Sequence, residues 1–135
     1  MLKLENHYKS SWEVSVANCL CREHLEFEYE PGFFPLKSGI KYTPDFVLGI
    51  PFGDKQVIIE PHGVMDQAQF EKFALFRQIY GHDYFLILLV KNEDIPYIRR
   101  DSYDDIWPIE FVLLLAKRLH ERASKPQEDE EFAKL

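Results

Sequence analysis

The sequence predicts an α/β fold with a mixed central sheet and the element order helix, three strands, helix, strand, helix. Two observations support this prediction. Helical periodicity recurs in three separated segments, and the stretches between them have the alternating or continuous apolar patterns of strands. The 135 residues can form one hydrophobic core, and no repeat or Gly/Ser-rich linker divides them. We therefore expect one domain over 1–123, followed by an acidic tail over 124–135.

The chain is predicted to begin with a helix and a strand. Residues 10–13 have the S-x-x-E form of a capping box, and apolar residues then recur every three or four positions, which predicts a helix over 11–24. Residues 25–30 alternate between apolar and acidic side chains, as in a strand with one buried face. The inward face of the helix is predicted to consist of Val14, Ala17, Leu20, Cys21 and His24.

The next two strands are predicted to form an antiparallel hairpin. Residues 40–48 favour a strand, and the β-branched run over 56–60 favours a central strand that a proline closes. The stretch 49–54 between them is rich in Gly and Pro, which is typical of a turn. We expect this turn to lie midway between Phe52 and Gly53.

The C-terminal half is predicted to contain helix, strand and helix. Residues 66–80 favour a helix with Asp66 as N-cap and Gly81 as C-cap. The continuous apolar run over 84–90 is typical of a strand buried on both faces in a parallel pairing. A polar connection then leads to a last helix over 108–122. Its predicted inward residues are Phe111, Leu114, Leu115 and Leu119.

Composition limits the classes of function. No apolar run approaches the ~20 residues of a membrane helix, and the N-terminus lacks the apolar stretch of a signal peptide, so we expect a soluble, cytoplasmic protein. Cys19 and Cys21 are one residue apart within a helix and cannot easily share a metal or a disulfide. The net charge of −7 gives no general attraction to nucleic acid. Any DNA-binding face is therefore expected to be local, metal-assisted or shared with a partner.

Three side chains that bear chemistry are predicted to meet at one edge of the sheet. The turn position chosen above places Asp45 opposite Glu60 on the same face, and His62, two residues further along, joins that face. Like charges opposite one another destabilise a strand pair unless a cation or a proton stands between them. A divalent cation such as Mg²⁺ suits two carboxylates. Pro44 and Pro61 also fall opposite each other, so the ladder is expected to open and free the Pro61 carbonyl as a third oxygen ligand.

The sequence resembles the PD-(D/E)XK nuclease superfamily in three consecutive features: Pro44-Asp45, a hairpin, and Glu60-x-His62 at the end of an apolar strand. His62 stands in the position of the usual lysine. The resemblance extends over most of the chain. The sequence around Asp45 and Glu60 is most similar to the compact branch that includes very-short-patch repair endonucleases and transposon-encoded end-cleaving subunits. It implies a restriction-endonuclease-like α-β-β-β-α-β core with an added C-terminal helix.

The resemblance also implies a function, namely metal-dependent hydrolysis of phosphodiester bonds in DNA. Asp45 and Glu60 would hold Mg²⁺ or Mn²⁺, and Glu13 on the first helix would support the ion directly or through water. His62 leaves three alternatives open: it activates water, it ligates the metal and shifts the preference toward Mn²⁺, or it marks a site that has lost catalysis. Lys72 on the second helix is a candidate for an additional cation.

Other candidate residues have simpler explanations beside the functional ones. Glu13 could be only the reciprocal member of the capping box. Glu30 either approaches the site or belongs to a solvated acidic face. Gln69 and Lys72 could contact a DNA backbone, or they could be ordinary surface residues. The pair Arg99 and Arg100 is the best basic patch, but neighbouring aspartates reduce its field.

These observations favour a metal-dependent DNA endonuclease. The alternative is a non-catalytic DNA- or protein-binding module that retains the nuclease fold, and a hydrolase of a small phosphate ester is a third possibility. Because the net charge is −7, we expect weak binding of DNA by one molecule alone, and hence a homodimer or a protein partner that delivers the DNA.

Overall fold

A five-stranded mixed sheet lies at the centre of the protein in a computed structural model, which describes residues 8–124. The strands are β1 (Phe27–Tyr29), β2 (Phe34–Pro35), β3 (Lys41–Tyr42), β4 (Phe46–Phe52), β5 (Lys55–Pro61), β6 (Tyr84–Val90) and β7 (Asp105–Pro108). The α-helices are α1 (Ser11–Arg22), α2 (Gln67–Tyr80) and α3 (Val112–Ala123). None of the helices within 8–124 has the length and apolar character needed to cross a bilayer.

The central sheet has the strand order β1-β4-β5-β6-β7. Its first two pairings, β1 with β4 and β4 with β5, are antiparallel, whereas β5 with β6 and β6 with β7 are parallel. The short strands β2 and β3 form a separate antiparallel pair. The predicted α/β class with a mixed central sheet is therefore confirmed.

Helices cover both faces of the sheet. On one face, α1 and α3 pack with residues such as Phe46 and Ile59. On the other face, α2 and the β2–β3 pair enclose a second apolar cluster around Ile58. Strand β6 is buried on both sides, because Leu86 and Leu88 face α2 while the alternate residues face α1 and α3.

The β4–β5 hairpin differs from its prediction in the position of its turn and in a β-bulge, and these two differences cancel at the site. The predicted strand over 40–48 is interrupted at 43–45, and the chain turns at 53–54, so that Phe52 pairs with Lys55. A β-bulge between Val47 and Pro51 absorbs the difference, and Phe46 consequently pairs with Ile59. This is the register that the sequence analysis expected near the site.

The predicted helix boundaries and faces are partly wrong. Helix α1 ends at Arg22 rather than at His24, which has φ 59°, and its buried residues are Glu13, Val16, Ala17 and Leu20. Helix α2 has the predicted Asp66 cap, completed by Gln69, and Gly81 follows as C-cap.

The last helix was predicted to start at Pro108. That proline instead ends β7, a strand that the sequence analysis missed, and α3 begins at Val112. Phe111 and Leu114 are 50% and 41% exposed, whereas Leu115 and Leu119 are buried as predicted. The predicted tail 124–135 lies outside the described residues except for Ser124, the C-cap of α3.

Candidate functional site

Asp45 and Glu60, here called the acid pair, meet at the edge of the central sheet. Asp45 immediately precedes β4, and Glu60 is the penultimate residue of β5. The backbone N–H of Asp45 donates a hydrogen bond of 3.2 Å to Glu60 Oε1, and the two residues are only 8% and 5% exposed. The structure thus brings two acidic side chains, distant in sequence, to one buried position.

A buried tyrosine fixes the orientation of Glu60. The Tyr42 hydroxyl donates to Glu60 Oε1 at 2.7 Å, and the rings of Phe73 and Phe76 pack against Tyr42 at centroid distances of 5.5 and 4.8 Å. The hydrogen bonds from the Tyr42 hydroxyl and from the Asp45 amide both end on Glu60 Oε1, so neither uses Oε2. Both donors are neutral, and they orient the carboxylate without balancing its charge.

Without a cation, the acid pair avoids like-charge repulsion only by retaining a proton. Burial raises the pKa of Asp45 well above its usual value, and the negative charge of Glu60 adds to this effect. Burial also raises the pKa of Glu60, although the Tyr42 hydroxyl and the Asp45 amide oppose the shift. Among the ion pairs of residues 8–124, none includes either member of the acid pair.

Glu13 approaches this edge from α1, on the opposite face of the sheet. Its N–H donates to Ser10 Oγ at 3.2 Å, which is one half of the predicted capping box. Its carboxylate makes no reciprocal bond to the Ser10 amide; Oε1 instead accepts from the Lys9 amide at 2.7 Å and from the Tyr29 hydroxyl at 2.6 Å. The charge of Glu13 contributes to the raised pKa of Asp45.

Glu30 joins the same edge through both its backbone and its side chain. Its N–H donates to the Asp45 carbonyl at 2.8 Å, and its backbone has φ 47°, in the left-handed region. The carboxylate pairs with Lys9 Nζ at 2.9 Å. That contact raises the pKa of Lys9, and the charges of Glu13 and Asp45 act in the same direction. Lys9 is therefore a cation at the rim of the site that the sequence analysis missed.

His62 lies just beyond β5, on the face that carries Glu60. Its N–H donates to the Leu89 carbonyl at 2.9 Å, which extends the parallel pairing with β6 by one residue. The imidazole ring packs edge-on against Phe73 at a centroid distance of 6.1 Å. Burial lowers the pKa of His62, a hydrogen bond with the Gln69 side chain opposes this shift, and the charge of Lys72 lowers the pKa further. The imidazole is therefore a neutral donor or acceptor near pH 7 rather than a substitute for the charge of lysine.

The two candidate residues on α2 differ in what they do. Lys72 is close enough to lower the pKa of both Glu60 and His62 through its charge, so it supplies positive potential to the site. The side chain of Gln69 completes the capping box, because its Oε1 accepts from the Asp66 amide at 3.1 Å. Gln69 thus has a structural role, and its contact with DNA stays a prediction.

The predicted basic patch is largely neutralised by its own loop. Arg99 forms an ion pair with Asp101 at 2.8 Å, as the sequence analysis anticipated from the neighbouring aspartates. Arg100 lies over the Tyr103 ring, 5.0 Å from its centroid. Asp101 therefore offsets the charge of Arg99, whereas Arg100 keeps its charge, and the contact of this loop with nucleic acid stays a prediction.

The donor set fits a hard cation held by two protein carboxylates. Mg²⁺ characteristically takes one or two carboxylates and completes its shell with water and substrate phosphate. Within residues 8–124, however, no three His, Cys, Asp or Glu side chains form a group arranged to hold an ion. The predicted meeting of Asp45, Glu60 and His62 is therefore limited to the acid pair, with His62 on the same face.

The expected ligand role of the Pro61 carbonyl stays a prediction. The paired residues of β4 and β5 end at Phe46 and Ile59, so Pro44 and Pro61 lie beyond that ladder. On its other side, Pro61 remains opposite Leu89 in the parallel pairing with β6.

Comparison with known proteins assigns no family. No protein-family model matches the chain, and no curated protein matches it. The chemistry of the site is therefore inferred from its own geometry.

Proposed function

We propose that the protein is a metal-dependent DNA endonuclease with a restriction-endonuclease-like fold of the PD-(D/E)XK type. The observation that carries this proposal is the acid pair: two buried carboxylates in contact, with raised pKa values and no cationic partner at ion-pair distance among residues 8–124. Such an arrangement destabilises a fold and serves no packing purpose. A divalent cation bound between the two carboxylates would remove the repulsion and account for the arrangement.

Asp45 and Glu60 would hold Mg²⁺ or Mn²⁺, with Glu13 supporting the ion through water from the opposite face. The bound ion would lower the pKa of a water molecule and neutralise charge that develops on the phosphate. The Tyr42 hydroxyl and the Asp45 amide orient Glu60 through Oε1, so Oε2 is available to a ligand. These contacts preorganise the carboxylate before the metal arrives.

His62 and Lys72 would share the roles that a single lysine has in the superfamily that the sequence resembles. The neutral imidazole of His62 can accept a proton from the attacking water. Lys72 supplies the fixed positive charge that His62 lacks near pH 7. This division explains how a histidine can occupy the lysine position without loss of the site.

DNA is proposed to reach the site with help from a second molecule. The net charge is −7, and the two loop arginines are engaged by Asp101 and Tyr103. A single molecule therefore has weak attraction for a phosphate backbone. A homodimer or a DNA-delivering protein would supply the missing affinity.

The direct test is a cleavage assay with single-stranded, duplex and branched DNA in the presence of Mg²⁺ or Mn²⁺. We expect cleavage by the wild-type protein and a loss on the order of 10³-fold or more for Asp45→Asn and Glu60→Gln, because each removes a metal ligand. The matched control is Asp54→Asn, an exposed residue in the turn at the opposite end of β5, which should cleave as the wild type does. Equal activity of the wild type and Asp45→Asn would refute the proposal.

A second candidate function is a non-catalytic DNA- or protein-binding module on the same fold. It is favoured by the lack, within 8–124, of a group of three ligating side chains. This alternative predicts that the wild-type protein binds no Mn²⁺ and cleaves no DNA, while it retains affinity for DNA or for a protein partner.

A further inference from the structure

A cavity of about 310 Å³ opens directly beside the candidate site. His62 forms part of its wall and connects it to the edge that carries the acid pair. The cavity lies at the carboxyl ends of β5 and β6, where Val90 closes its floor. Ligands of open α/β sheets bind at this end of parallel strands. Its volume is at the lower end of the range for small-molecule sites, which suits a single flat ring system.

The wall mixes polar and apolar surface, and two of its apolar side chains are exposed to solvent. Val64 and Tyr97 are each 80% exposed, more than any other large hydrophobic side chain among residues 8–124. Phe70 of α2 and Met65 line the interior between them. An exposed aromatic ring that lines a cavity offers a face on which another planar ring can stack.

The charge on the wall selects against an anion. Asp94 is the one acidic residue lining the cavity, and no lysine or arginine of the described chain lines it. A phosphate group would be repelled there. A carboxylate is instead a good acceptor for the amino or imino N–H groups of a nucleobase. His62 provides a second polar group on the side nearest the acid pair.

We propose that this cavity receives an unpaired nucleobase, stacked on Tyr97 and hydrogen-bonded to Asp94, from the strand whose phosphate lies at the acid pair. The inference rests on the proposed nuclease function and narrows its substrate class. A base inside an intact duplex cannot enter a cavity, so the preferred substrate carries an unpaired or extruded base next to the bond that is cut. Stacking also provides affinity that the negative net charge of the protein does not.

The test compares two DNA duplexes of the same sequence, one fully paired and one with a single-base bulge. Fluorescence anisotropy with Ca²⁺ in place of Mg²⁺ measures their binding to the full-length protein. We expect the wild type to bind the bulged duplex about 10-fold more tightly, because base–aromatic stacking contributes this order of affinity. Tyr97→Ala should abolish the preference, and Tyr97→Phe should retain it. These changes leave the core untouched, since Tyr97 is 80% exposed.

The control variant is Phe111→Ala, a half-exposed aromatic residue that does not line the cavity and should keep the wild-type preference. Equal binding of both duplexes by the wild type, or an unchanged preference in Tyr97→Ala, would overturn this inference. Cleavage of fully paired duplex that depends on Asp45 would survive either result, and the nuclease proposal would stand alone. A preference that depends on Tyr97 without cleavage of any DNA would instead support the cavity and refute the nuclease.

Discussion

Two regions on the same side of the sheet hold partly or fully buried acidic side chains in opposite ways. Asp104, in the loop before β7, has a compensated carboxylate: Arg77 donates to Oδ1 from Nε at 3.2 Å and from a terminal nitrogen at 2.8 Å, and the Leu86 amide donates to Oδ2 at 2.7 Å. Asp45 and Glu60 lie together, and the two donors to Glu60 Oε1, the Tyr42 hydroxyl and the Asp45 amide, are both neutral.

The difference distinguishes a structural acid from the acids of the proposed metal site. The Arg77–Asp104 pair fastens α2 to the loop before β7, and Arg77 also donates to the Asp101 carbonyl at 2.8 Å. In this pair the Arg77 guanidinium and the Asp104 carboxylate balance each other's charge, as a purely structural contact requires. The acid pair forms no ion pair within residues 8–124 and must retain a proton when metal is absent, and proteins tolerate such a cost mainly where activity needs it.

The largest expected contrast is in the free energy of unfolding of two aspartate variants. Asp104→Ala should lose about 3 kcal/mol, because it leaves the partly buried Arg77 without its carboxylate. Asp45→Asn should gain about 1 kcal/mol in the absence of metal, because it removes a desolvated, repelled carboxylate. Urea unfolding with EDTA measures both. A loss for Asp45→Asn as large as that for Asp104→Ala would remove the distinction.

The pH dependence of stability should separate the two regions next. The folded-state pKa values of Asp45 and Glu60 are raised above their unfolded values near 4, so the folded protein retains protons that the unfolded chain has released. The free energy of unfolding of the metal-free protein should therefore fall as the pH rises above about 5, by roughly 1 kcal/mol per pH unit for each proton that the folded protein retains. The double variant Asp45→Asn with Glu60→Gln should flatten this slope relative to the wild type, whereas Asp54→Asn should leave it unchanged.

A smaller effect is expected from Tyr42→Phe. The change removes the buried donor to Glu60 and should cost about 1 kcal/mol of stability. Because the Tyr42 hydroxyl lowers the pKa of Glu60, its loss should raise that pKa and weaken Mn²⁺ binding more at pH 6 than at pH 8. The matched control is Tyr80→Phe, which removes a hydroxyl bonded to the Pro35 carbonyl, away from the acid pair. An equal loss of Mn²⁺ affinity at both pH values would contradict a role for Tyr42 in the ionisation of Glu60.

The position of the acid pair could be predicted because strand pairing follows simple periodicity. Residues on either side of a hairpin alternate faces with period two, and the β-bulge that shifts the register lies between Val47 and Pro51, beyond the site. The prediction of a turn between Phe52 and Gly53 was wrong, but the bulge compensated for the error. Within the bulge, the Gly49 amide donates to the Glu26 carbonyl at 2.8 Å, a contact that no local pattern reveals.

Other parts of the molecule depend on tertiary contacts that periodicity does not encode. Strand β7 is only four residues long and contains Asp105, whose carboxylate bonds the Trp107 indole at 3.0 Å. Tyr42 lies in the separate β2–β3 pair, so its reach to Glu60 follows from the break at 43–45. Lys9 precedes α1 and contacts Glu30 only because β1 returns beside the helix.

The acid pair as a cation site is tested most directly by calorimetric titration of Mn²⁺ into the metal-free wild type, Asp45→Asn and Asp54→Asn. Measurements at pH 7 in two buffers of different ionisation enthalpy also count the protons released. We expect the wild type and Asp54→Asn to bind Mn²⁺ with release of protons, because the ion displaces protons from groups of raised pKa. We expect no such binding by Asp45→Asn. Failure of the wild type to bind Mn²⁺, or unchanged binding by Asp45→Asn, would contradict it.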